Sequence, residues 1–100
     1  MSIEDWRNEI DAIDGELLRL LNARLRIAIK VGALKRTAGL PLNDRERERE
    51  ILSQLRELND GPLDDETVVR LFRQIIQESR RLQEQTLEAG SPAETLEVSP

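Results

Sequence analysis

Eight residues able to do chemistry sit on helix faces that are otherwise apolar: Arg7, Arg24 and Lys35 early in the chain, Asp44, Arg47 and Glu48 in the middle, Ser79 and Gln83 towards the end. A charge taken out of water without a partner is costly, so the cations must meet carboxylates, supplied by this protein or by a ligand. The chain has no His and no Cys. That removes the commonest general base and metal ligand, thiolate nucleophiles, cysteine-bound zinc and disulfides. Any chemistry falls to Arg, Lys, Asp, Glu, Ser, Thr and Gln. The net charge of -5 argues against a nucleic-acid surface, while local Arg/Lys clusters remain able to hold a small anion. Taken singly, each residue has a plainer reading, as a member of an ion-pair network or as a tolerated core polar group. Their coincidence on three inner faces is what points to a site.

The first helix is expected from about Asp5 to Arg36, with Ser2 or Asp5 as its cap. Trp6, Ile13, Leu20, Ile27 and Leu34 recur at seven-residue intervals, beside a second line of Ile10, Leu17 and Val31, the pattern of a helix with an apolar seam. Arg24 interrupts the second line, and Arg7 and Lys35 end the flanking series through Asp14, Leu21 and Ala28. About 30 residues rising ~1.5 Å each make a rod of roughly 45 Å. A compact monomer of this length has a radius of gyration of about 13 Å. The rod and its seam would project from such a globule, so the expected assembly is an intertwined homodimer sharing both long helices.

One hundred residues allow one domain with a modest core. With 38% hydrophobic and 35% charged residues, the composition is helix-rich. There is no apolar run of membrane-spanning length and no leader, so a cytoplasmic location is expected. Gly15 and Gly32 lie inside the first helix, where glycine marks either tolerated surface or close approach of another segment. Gly39 suits a C-cap and Pro41 stops the helix. Asn43 or Asp44 should cap a second helix ending near Leu58. Counted back from Leu58, Leu55 and Ile51, its inner face passes through Arg47, Glu48 and Asp44, leaving Arg45, Glu46, Arg49 and Glu50 outward. Residues 59–62, Asn-Asp-Gly-Pro, form a turn. Asp64 or Asp65 starts a third helix with the stripe Val68, Phe72, Ile75, Ser79, Leu82, Gln83, Thr86. Residues 1–89 read as the domain, and residues 90–100 as a tail or linker.

Several segments together resemble the all-helical (type II) chorismate mutases: residues 6–14, Leu17 to Leu21, Arg24, residues 31–35, Asp44 with residues 47–49, and residues 71–79. The resemblance runs from about residue 5 to residue 87 and includes the sparse polar positions as well as the apolar ones. It implies a three-helix, all-α chain that dimerises by exchanging its long first helix. It also implies conversion of chorismate to prephenate by an intramolecular Claisen rearrangement, in which a C–O bond breaks as a C–C bond forms. Such a reaction requires no nucleophile, metal, cofactor or general base. It needs the folded diaxial conformer and stabilisation of charge growing on the ether oxygen.

By the same resemblance, Arg24 and the partner chain's copy of Arg7 would grip the substrate carboxylates, with Arg47 in support. Lys35 and Gln83 would donate hydrogen bonds to the ether oxygen. Glu48 would bind the ring hydroxyl and orient Lys35, Asp44 would help hold that hydroxyl through its segment, and Ser79 would contact a carboxylate. Some relatives carry Glu at the position of Gln83 and need it protonated; Gln needs no proton. Two departures, Asn43 and the Arg80–Arg81 pair, are expected at the rim. Two rival readings remain. One is an isochorismate-pyruvate lyase on the same fold, which the Arg47–Glu48 pair and Ser79 disfavour. The other is a mutase-like regulatory module docking on a fused or separate shikimate-pathway enzyme.

Overall fold

The computed structural model describes residues 1–88; the expected tail at residues 90–100 lies outside them. Three helices follow in order: α1, Ile3–Thr37, α2, Arg45–Leu58, and α3, Asp65–Glu88. None is long and apolar enough to cross a membrane among the described residues.

Local chemistry sets each boundary. Ser2 caps α1: its hydroxyl accepts from the Asp5 N–H while the Asp5 carboxylate accepts from the Ser2 N–H, so two otherwise unpaired donors are satisfied reciprocally. At the other end Gly39 takes φ +71°. Its N–H donates to the Arg36 carbonyl and the Leu40 N–H to the Lys35 carbonyl, the two bonds that close a helix once a residue has turned left-handed. Asp44 caps α2 by accepting from the Arg47 N–H at 3.0 Å. Asp64 does the same for α3, accepting from the Thr67 N–H at 2.7 Å.

The central element is α3. It packs against α1 on one side and α2 on the other, whereas α1 and α2 do not pack on each other among the described residues. Its expected stripe is the one the fold uses, with Val68, Ser79 and Gln83 buried and Phe72, Ile75, Leu82 and Thr86 half-buried. The inner face of α2 differs from expectation at both ends: Asp44 and Arg47, counted as inward residues, are exposed, Asp44 as the helix cap and Arg47 in its pairing with Glu50. Leu58, counted as an inward residue, is 77% exposed, while Leu52 is buried at 4%. The contact face centres on Ile51, Leu52 and Leu55, and Leu58, the last residue of α2, lies off it.

The most consequential difference concerns α1. Its side towards α3 runs through half-buried Leu21, Leu25 and Ala28 and buried Gly32. The seven-residue seam is not covered by this chain's own helices: Trp6, Ile10, Ile13, Leu17 and Leu20 are each 50–60% exposed, and Ile27 and Leu34 more so. The molecule is accordingly elongated, with a radius of gyration of 16.7 Å and a longest extent of 53 Å.

Candidate active site

Because α1 and α2 meet α3 on different sides, a cleft opens between them with α3 as its floor. The cavity, about 290 Å³, is bounded by Arg24, Ile27, Ala28, Val31 and Lys35 of α1, by Leu42 and Asp44 of the connecting loop, by Arg47, Glu48 and Ile51 of α2, and by Ile76, Ser79, Arg80 and Gln83 of α3. Its volume is at the small end for ligand sites, which run from ~300 to 1,000 Å³. Seven of the eight polar residues singled out in the sequence line this one space. The eighth, Arg7, is exposed near the far end of α1 and does not border it.

The half-buried Arg24 guanidinium donates through Nη1 to Ser79 Oγ at 3.0 Å, and the Ser79 hydroxyl in turn donates to the Ile75 carbonyl at 3.0 Å. Ser79 thus spends its proton on its own helix and offers its oxygen to Arg24, which fixes the direction of the cation. Burial, and secondly the charge of Arg47, pull the Arg24 pKa below its ordinary value. Both causes oppose the charged form, and an anion arriving in the cleft would relieve the second.

Gln83 is buried, and its Nε2 donates to the Ala28 carbonyl at 2.7 Å. The bond assigns the amide: nitrogen faces α1, with one N–H engaged and the other left for the cleft. Gly32 makes room for this. A Cβ at Gly32 would stand 2.8 Å from Gln83 Cγ and 3.2 Å from its Cδ. The glycine therefore marks the close approach of a side chain from α3 and cannot be enlarged without moving Gln83.

Lys35, in the last turn of α1, donates weakly to the Leu42 carbonyl at 3.5 Å, which leaves most of its capacity unspent. Arg47 pairs with Glu50 at 3.2 Å on the exposed side of α2. Glu48 departs from the expectation that it orients Lys35: its Oε2 lies 3.8 Å from Nη2 of Arg80. Arg80 is thereby corrected from rim to wall. The signal was present in the sequence, since residues 76, 79, 80 and 83 share one face of a helix, but the count along α3 followed Ile75 and Leu82 instead. Arg81 stays outside, paired with Glu78.

Four cations, Arg24, Lys35, Arg47 and Arg80, and two carboxylates, Asp44 and Glu48, thus line one cleft together with aliphatic side chains such as Ile27, Val31, Ile51 and Ile76. Fold and cleft together define an all-helical protein with a cationic pocket suited to a small anion and furnished with neutral and charged hydrogen-bond donors. The family model for chorismate mutase type II matches residues 6–84, and the chain belongs to that family. It is 49% identical over 72 residues to the bifunctional chorismate mutase/prephenate dehydratase of Neisseria gonorrhoeae, a match covering 72% of this chain and 19% of that protein. The chain thus spans about a fifth of that relative's length. Among solved structures, the form II structure of chorismate mutase from Thermus thermophilus superposes with a TM-score of 0.81 at 41% identity, covering 82% of this chain and 93% of that one. Chorismate mutase from Helicobacter pylori in complex with prephenate superposes with a TM-score of 0.80 at 36% identity, covering 86% and 93%.

Proposed function

We propose that this protein catalyses the rearrangement of chorismate to prephenate as a homodimer, each cleft completed by Arg7 of the partner chain. The observation that carries the reading is the convergence of Arg24, Lys35 and Gln83 on one cavity. Family membership and the prephenate held by the Helicobacter relative support it. The substrate is a dianion, and guanidinium forks match planar carboxylates. Arg24, directed by Ser79, takes one carboxylate, and the partner's Arg7 takes the other. Gripping both favours the compact conformer in which the enolpyruvyl arm lies over the ring, the entropic part of the catalysis.

The C–O bond then breaks as the C–C bond forms, and electron density gathers on the ether oxygen. The free N–H of Gln83 and the Lys35 ammonium donate to that oxygen. Their bonds strengthen as the charge grows, so they lower the barrier beyond what they add to binding. Glu48 accepts from the ring hydroxyl, and Asp44 fixes the start of α2 that carries Glu48. The dimer reading rests on the uncovered seam of α1: its exposed aliphatic and indole groups form a patch of the kind that marks a contact surface.

A chorismate-consumption assay of the wild type beside Lys35→Ala and Gln83→Ala tests the site. Loss of one ether-oxygen donor should slow turnover by about 10²-fold or more, roughly 3 kcal/mol, with circular dichroism unchanged. Full turnover in both variants would refute the assignment, and faster release of pyruvate from isochorismate than loss of chorismate would move the protein to the lyases. A second expectation concerns pH. Because Gln83 donates without titrating, turnover should hold as pH rises through neutrality; a steep loss between mildly acidic and neutral pH would contradict its role.

A further inference from the structure

Arg80 is a charged wall residue to which neither the resemblance nor the scheme above gives a task. Its side chain is 32% exposed, it follows Ser79 on the floor helix, and its Nη2 lies 3.8 Å from Oε2 of Glu48, whose side chain is 28% exposed. Among the described residues this is the only ion pair of Glu48, and it joins the floor helix α3 to α2.

The electrostatics of the cleft give that pair a purpose. Glu48 is a carboxylate in a space designed for the carboxylates of a ligand. Arg24, Lys35 and Arg47 line the same cavity, and each attracts Glu48 as it attracts substrate. A Glu48 free to swing would settle on one of them, compete with the incoming dianion and occupy the ammonium needed at the ether oxygen. We propose that Arg80 is a positioning residue: it draws one oxygen of Glu48 towards α3, which keeps Lys35 and Arg24 uncommitted and leaves the second oxygen for the substrate hydroxyl.

This rests on the reading of Glu48 given under the proposed function, and the experiment separates the two. Kinetic constants are measured for Arg80→Met, Arg80→Lys, Glu48→Gln and the double variant Glu48→Gln/Arg80→Met, with oligomeric state and thermal unfolding checked for each. Arg80→Met should lower kcat about tenfold, the range for coupled neighbours, with a smaller change in KM. Arg80→Lys should restore most of it. In the Glu48→Gln background, already slow, Arg80→Met should have no further effect on kcat. A rise in KM of equal size in both backgrounds would mean that Arg80 binds substrate directly, and would overturn the proposal. Lowered stability with kcat unchanged would reduce Arg80 to a tie between α2 and α3, and would overturn it equally. Unaltered kcat in Glu48→Gln alone would remove the role of Glu48 and this proposal with it, whereas a slow Glu48→Gln without coupling to Arg80 removes only the proposal.

Discussion

The two halves of α1 share one continuous helix and differ in almost everything else. Every residue from Met1 to Leu20 is exposed, although the segment carries Trp6, Ile10, Ile13, Leu17 and Leu20. From Leu21 onward the helix acquires a side pressed against α3 and supplies Arg24, Ala28, Gly32 and Lys35 to the cleft and its walls. Their electrostatics diverge as well. Near the start, hydrogen bonds from the Ser2 N–H and hydroxyl favour the charged form of Asp5 and lower its pKa. In the second half, burial and a neighbouring cation disfavour the charged form of Arg24. The first half behaves as a helix end finished for solvent along its polar side and left incomplete along its apolar one. The second behaves as the wall of a binding site. A single periodic pattern can therefore serve two tasks, and exposure, not periodicity, tells them apart.

The strongest way to break this comparison is Leu17→Glu combined with Leu20→Glu. Were the first half merely solvated, substitutions at such exposed positions would be nearly neutral, within about 0.5 kcal/mol. The proposed dimer predicts loss of the dimer in sedimentation together with loss of detectable chorismate turnover. A stable monomer that retains full activity would remove the partner chain from the mechanism.

The two glycines of α1 sharpen it further. At Gly32 the helix-propensity gain of Ala, about 1 kcal/mol, is opposed by overpacking against Gln83, typically ~1–3 kcal/mol. Stability should change little, while displacement of the amide lowers kcat roughly 10- to 100-fold with KM nearly kept. At Gly15 a Cβ meets nothing within 4 Å in the chain, so Gly15→Ala should stabilise by about 1 kcal/mol and leave turnover alone. Equal kinetic effects at both positions would contradict the close approach as the cause. The smallest effect concerns Asp5. Its folded pKa is lowered, so its contribution is complete above the ordinary Asp value of about 3.9 and is lost as pH falls through the folded value. Asp5→Asn should flatten that acid limb slightly in thermal unfolding, with no change near neutrality.

Much of this was legible in the chain because it depends on local chemistry. Ser2, Gly39 and Asp44 announce helix ends through side-chain or backbone properties that act within a few residues. The polar members of the α3 stripe, Ser79 and Gln83, proved buried because a period of 3.6 places them among Val68, Phe72 and Ile75 whatever the neighbours are. Relations between helices were less legible. Leu58 continues the stripe of α2 and is still 77% exposed, since a period marks a face along the whole helix while its neighbours decide how much of that face is covered. Arg80, expected at the rim as a departure from the resemblance, stands beside the α3 stripe, where a residue can fall on either side. Which side depends on where α2 stands, and the partner of Glu48 followed from that placement.

The uncovered seam of α1 also governs how the protein responds to its own abundance. In the dimer proposed above, completing the helix and completing the cleft are one equilibrium, so specific activity would fall on dilution and refolding would acquire a second-order step. Substrate, by bridging guanidinium groups from two chains, would shift that equilibrium towards assembly, and the supply of the dianion would help decide how much working enzyme exists.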